Sequence, residues 1–166
     1  MKIKILYIAL FLCSSILLAQ TPKNNTKLIL GKVVAITDGD TFKLLDQDST
    51  LHRIRVANID CPEKKQPFST RAKQFTSDQI FNKNITIKVQ SKDRYGRVIA
   101  NVIYNDSLNL SKELLKAGMA WHFVKYSKDK SLQFFENEAR LKNVGLWTDK
   151  APIPPWEWRS KKKSKK

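Results

Sequence analysis

Three short stretches of this chain gather the residue types that handle phosphate esters and metal ions. They are Asp38-Gly39-Asp40-Thr41, then Arg55-Val56-Ala57-Asn58-Ile59-Asp60-Cys61-Pro62-Glu63, and finally Asp93-Arg94-Tyr95-Gly96-Arg97. Carboxylates supply hard oxygen ligands for an alkaline-earth ion and a base that can take a proton from water. Arginine presents a planar fork that matches two phosphate oxygens, and a tyrosine among arginines offers a face for stacking. Taken singly, each stretch has a plain structural reading. Asp-Gly is a common hairpin signal, Asp60 and Glu63 suit a solvated strand end, and Asp93 to Arg97 suits a tight turn with Gly96 at the special backbone position. Their significance comes from occurring together and in this order in one basic, β-rich domain.

The charge balance points the same way. Lys and Arg number 31 against 15 Asp and Glu, a formal net charge of +16, so the expected partner is anionic. Nucleic acid, an acidic membrane surface and a sulfated glycan all satisfy that excess, which does not choose among them. The length of 166 residues accommodates one domain with a real core and excludes a multidomain machine, and 42% apolar residues exclude a disordered chain. Residues 1–19 read as an export signal, with Lys2 and Lys4, an apolar run from 5 to 18 and a cleavage point at Ala19-Gln20. A retained N-terminal anchor is the alternative, because Leu17 stands where a small residue is usual. Removal of the signal takes Cys13 with it and leaves Cys61 without an intramolecular disulfide partner. With His52 and His122 as the remaining borderline ligands, zinc is poorly served, and a hard cation on carboxylate oxygen is expected instead. The expected location is secreted or periplasmic.

The elements that must position these residues follow from periodicity. A polar lead at 20–27 precedes strands expected at 28–36, 41–45 and 51–59, separated by turn signals at Thr37 to Asp40 and Asp46 to Ser49. Residues 67–81 change to helical spacing, with Ser69 placed to cap. Two more β-rich runs, 85–89 and 97–104, pair as a hairpin or close the sheet. Helices are expected at 110–117, ending at Gly118, and at 131–143, ending at Gly145. The fold class is therefore α+β and mainly β: a five-stranded Greek-key OB-fold barrel with about three helices, occupying residues 28–150. Residues 151–166 form a Pro/Trp and then Lys-rich tail. Its last eight residues, beginning at Arg159, carry six cations and are expected to be mobile and remote from chemistry.

On these motifs the chain resembles the staphylococcal nuclease (thermonuclease) family. The resemblance runs from about Leu28 to Trp147 and includes Glu113 to Ala120 and Asn143-Val144-Gly145-Leu146-Trp147. It implies that Asp40 and Asp60 supply carboxylate ligands to one Ca²⁺ and that the backbone carbonyl of Cys61, where the family commonly has threonine, supplies another. Asp38 is implied to stand behind these ligands rather than among them. Glu63 would position and deprotonate water, and Arg55 and Arg97 would grip the phosphate, with Arg97 stabilising charge electrostatically. Arg94 and Tyr95 would lie by the bound nucleotide. The implied activity is hydrolysis of DNA and RNA at the 5′-oxygen side, leaving 3′-phosphates, by a monomer that needs no protein partner.

The alternative is a non-catalytic nucleic-acid-binding module on the same fold. Such a module is expected to have lost ligands, whereas Asp40, Arg55, Asp60, Glu63 and Arg97 are all present. His52 and His122 lie outside the three motifs and are read as structural. Trp121, Phe123 and Tyr126 are read as alternating along a strand or packing in the core, and Trp156 and Trp158 as packing back onto the barrel.

Overall fold

A computed structural model describes residues 26–163. The export signal assigned to 1–19 and most of the polar lead at 20–27 lie outside the described residues. Strands β1 (Leu28–Asp38), β2 (Thr41–Asp46) and β3 (Leu51–Val56) form an antiparallel meander, followed by the two-residue β4 (Ile59–Asp60) and helix α1 (Ser69–Ile80). Strands β5 (Asn84–Lys92) and β6 (Val98–Tyr104) make a hairpin, and the short β7 (Leu108–Asn109) leads into helix α2 (Leu110–Lys116). The two-residue β8 (Trp121–His122), helix α3 (Lys130–Leu141), a 3₁₀ turn (Gly145–Thr148) and helix α4 (Pro155–Lys163) complete the order.

Closure comes from two pairings. Strand β5 lies antiparallel to β1, and β6 lies parallel to β3 with Arg55 opposite Ile99, so the five long strands close into the expected barrel. Alternation decides what faces inward. In β2, Phe42 and Leu44 are fully buried while Lys43 and Leu45 face out, and Ala100, Val102 and Tyr104 repeat the pattern in β6. Val33, Ile54 and Ile87 fill the same interior, each fully buried and each contributing about 1.5–3 kcal/mol through removal from water. The Tyr104 hydroxyl reaches Gln79 Oε1 at 2.8 Å, and burial pushes its pKa up to about 12.

Helix α1 covers one end of the barrel through Ala72, Thr76 and Ile80, spaced four apart on one face. Ser69 does not cap it: the residue before the helix is Phe68, in the left-handed conformation with φ 67°, and no side chain caps the first turn. Helices α2 and α3 do have side-chain caps, Asn109 accepting from Lys112 N and Asp129 from Ser131 N. The expected third strand stops early, because Asn58 at φ 69° turns the chain between Val56 and Ile59. The following pair, Ile59–Asp60, then ladders with Trp121–His122.

Gly145, at φ 60°, lies against the α2 C-terminus so closely that a Cβ would stand 2.5 Å from the Ala117 carbonyl oxygen and nearer still to that of Gly118. The contact seats Leu146 and Trp147 beside Trp121 in a second apolar cluster. A fourth α-helix exceeds the expected three. Pro155 starts it at the first helical position, where a missing N–H costs nothing. Among the described residues no helix is long and apolar enough to cross a membrane.

Candidate active site

The β1–β2 register places the first motif. Asp38 pairs with Thr41, Thr41 pairs with Arg55 across β2–β3, and Val56 N donates to the Asp40 carbonyl at 2.8 Å. The turn between them is fixed from outside by α1, whose Thr76 hydroxyl donates to the Gly39 carbonyl at 2.5 Å. Gly39 is required by space. A Cβ there would meet Ala72 Cβ at 2.8 Å and Cys61 Cβ at 2.9 Å, so any side chain would push the turn away from the β4 end. Asp60 is held by the β4–β8 ladder opposite Trp121, and β8 is held by Glu136, which accepts from His122 N.

These constraints bring two buried carboxylates onto one guanidinium. Arg55 Nη2 lies 2.7 Å from Asp60 Oδ1 and 3.1 Å from Asp40 Oδ2, while its Nη1 donates to the Val56 carbonyl at 2.8 Å. Asp40 Oδ2 also accepts from Cys61 N at 2.8 Å, and its Oδ1 accepts from the Thr41 hydroxyl at 3.1 Å. Asp38 accepts from Asp40 N at 3.3 Å. Burial, with the neighbouring Asp40 charge, raises the Asp38 pKa to about 7. Burial also raises that of Asp60, against the pull of Arg159 and Arg55. Arg55 is held charged: burial opposes it, but Asp40 and Asp60 outweigh that cost and lift its pKa. The Cys61 thiol is buried and pushed well up, first by burial and then by Asp40, so it is no nucleophile.

Glu63 is half-buried, and its loop is clipped by Gln66, whose Oε1 accepts from Glu63 N at 2.9 Å. The structure therefore gathers Asp38, Asp40, Arg55, Asp60, Cys61 and Glu63. The third motif forms its own group at the β5–β6 hairpin. Asp93 Oδ1 accepts from Tyr95 N and Arg97 N, both at 2.9 Å, and Asp93 Oδ2 accepts from Arg97 Nε at 2.8 Å. Burial opposes the Asp93 charge, but these donors hold its carboxyl below the usual range. Arg94 and Arg97 lie 4.9 and 5.8 Å from the centre of the exposed Tyr95 ring. Arg97 precedes by two residues Ile99, the ladder partner of Arg55, so alternation puts both arginines on one face of the barrel.

Sequence reasoning missed two members of the site. Arg159, assigned to a mobile tail remote from chemistry, instead donates from α4 to both Asp60 and Glu63. For Arg159 that expectation is corrected, for a physical reason, while residues 164–166 of the same tail lie outside the described residues. The run of cations is anchored just ahead of Arg159, where Trp156 stacks on Phe123 with ring centres 5.2 Å apart and Gln66 Nε2 donates to the Ile153 carbonyl at 2.6 Å. Trp156 and Trp158 do pack back onto the domain, as expected, and the Trp-x-Trp spacing just after Pro155 is the available signal for an anchored helix. Gln66 gave none. Of the three aromatics assigned to strand or core, Trp121 is buried, but Tyr126 is 70% exposed. The His52 ring pairs with Asp46 at 2.6 Å and the buried His122 ring lies 3.0 Å from Gln133 Oε1.

Among the described residues no three acidic, His or Cys side chains converge as a ready-made metal cage. The donor set nonetheless fits a hard dication: Asp40 and Asp60 are both buried, offer only oxygen, and are already gathered on cationic groups.

The sequence matches the family described as "Staphylococcal nuclease homologue" over residues 53–149. Among individual relatives, a protein of Escherichia coli named "Uncharacterized endonuclease" is 39% identical over 134 residues, covering 81% of this chain and 87% of that protein. A like-named protein of Haemophilus influenzae is 38% identical over 160 residues, covering 96% and 87%. A "Micrococcal nuclease" of Shigella flexneri is 36% identical over 145 residues, covering 81% and 82%.

Proposed function

Because the chain belongs to the staphylococcal nuclease homologue family, we propose that it is an exported, Ca²⁺-dependent nuclease that cleaves DNA and RNA on the 5′-oxygen side and leaves 3′-phosphate ends. The observation that carries this reading is the convergence of buried Asp40 and Asp60 on Arg55 with Glu63 alongside. Asp40 and Asp60, with the Cys61 carbonyl, would hold the ion. Bound there, Ca²⁺ would offset phosphate charge and ease formation of hydroxide from water. Glu63 accepts the proton of the attacking water. Arg55 and Arg97, on one face of the barrel, hold the phosphate and offset the extra negative charge of the transition state. An arginine keeps its proton too firmly to donate it, so neither serves as the leaving-group acid, and the 5′ oxygen departs as an alkoxide that takes its proton from solvent water. Arg94 and Tyr95 receive the neighbouring nucleotide. Export is supported by the charged and apolar leader at 1–19, and a monomer is proposed because one chain supplies the proposed ion ligands, base and phosphate-binding arginines.

Digestion of plasmid DNA and of RNA by the mature protein tests this. Calcium should support cleavage of both, chelator should abolish it, and Mg²⁺ should substitute poorly, because it demands a compact octahedron and parts reluctantly with its waters. Equal rates with the two metals, or full hydrolysis in excess chelator, would sink the calcium assignment.

A further inference from the structure

Helix α4 delivers an arginine into the carboxylate cluster from beyond the family-matched residues 53–149. Arg159 Nη1 donates to Glu63 Oε1 at 2.5 Å and lies 3.3 Å from Asp60 Oδ1, and its Nη2 donates to Asp60 Oδ2 at 2.8 Å. With Arg55 Nη2 already on Asp60 Oδ1, both oxygens of that buried carboxylate are taken by guanidinium groups.

The placement is built. Trp156 stacks face to face on Phe123, at an interplanar angle of 3°, and Trp158 lines a pocket with Phe68, Trp121 and Leu146. Gln66 donates to Ile153 just ahead of α4 while accepting from Glu63 N, so one side chain ties the tail to the backbone of the proposed base. A hard dication at Asp60 needs oxygen lone pairs that these N–H groups now occupy, and two cations sharing those oxygens repel.

We infer that Arg159, also bonded to Glu63, is a tethered cation competing with the divalent ion for Asp60, so that α4 sets the cation affinity of the site and gives up Asp60 when the ion enters. This rests on the proposed function, since it takes Asp60 as a ligand. Tethering keeps the guanidinium at high effective concentration whatever the protein concentration. The measured dissociation constant is the intrinsic one divided by the fraction of molecules with the site open. If the arginine occupies the carboxylates about nine-tenths of the time, removing it tightens binding roughly tenfold.

Calorimetric titration of Ca²⁺ into the full mature protein tests the inference with R159Q, R159K, K64Q and D40N, each checked for folding by circular dichroism. R159Q should bind about tenfold tighter than wild type, and R159K about threefold tighter, because lysine keeps the charge and loses the fork. K64Q, which removes an exposed charge next to Glu63 in sequence, should change affinity less than about twofold. R159K carries the comparison if R159Q does not fold. Unchanged or weaker binding in R159Q, with binding still lost in D40N, would overturn the competition and leave the metal site standing. Equal tightening in K64Q would overturn it too, by reducing the effect to through-space charge. Calcium binding indifferent to D40N, or absent from every variant, would overturn the site itself and the competition with it.

Discussion

Glu63→Gln is expected to lower kcat by about 10²–10⁴, the range lost when a positioned general base is removed. Glutamine keeps the shape and cannot take the proton. Its effect on the fold should be small, because the Glu63 side chain is 38% exposed and the loop is fixed through its backbone N–H to Gln66 rather than through the carboxylate. Glutamine Oε1 can still accept from Arg159, so the docking of α4 survives in part. Saturating rates on a short oligonucleotide, beside thermal melts, separate chemistry from folding. A kcat within about threefold of wild type would move the base to another group.

Arg55→Lys is the second large effect. The fork of Arg55 joins the Val56 carbonyl, Asp40 and Asp60, and a lysine point charge cannot satisfy all three. A loss of about 10²–10³ in kcat/KM is expected from the missing transition-state contact. A stability loss of about 1–3 kcal/mol should accompany it, because buried carboxylate oxygens lose a partner. Arg97→Lys separates the two effects. Its partner Asp93 sits in the exposed β5–β6 turn, so activity should fall while the melting temperature barely moves. Near wild-type kcat/KM in both lysine variants would show that charge without the fork suffices.

Most of the barrel was legible because its signals are local. Alternation in Phe42 and Leu44, the turn at Gly39 and the helical spacing of Ala72 and Ile80 each report their element directly. The third strand stops short of Ile59 although Asn58 carries an apolar neighbour on each side, because Asn58 adopts a positive φ and its carbonyl accepts from Phe123 N at 2.9 Å. Ser69 looked like a cap by residue type, yet α1 starts on Phe68, whose ring lies under Arg71 and against the Trp121 cluster. The carboxylates and Arg55 stand in two motifs that residue type singles out, and their roles are implied by the family resemblance. Arg159 was not legible in this way, because 99 residues separate it from Asp60 in sequence and the contact depends on how Trp156 and Trp158 dock. A run of cations reads as solvated until something anchors it, and that anchor is a packing fact.

On the proposed function, this cluster hydrolyses phosphodiesters with calcium and puts the phosphate on the 3′ side. Mass spectrometry of the fragments from a short DNA oligonucleotide of defined sequence tests it most directly, with the mature protein in Ca²⁺, in chelator, and as the Glu63→Gln variant in Ca²⁺. Fragments ending in 3′-phosphate and beginning with 5′-hydroxyl are expected from wild type in calcium, with cleavage absent in chelator and slowed by at least about a hundredfold in the variant. Fragments bearing 5′-phosphate, or cleavage undiminished by both chelator and Glu63→Gln, would contradict the account.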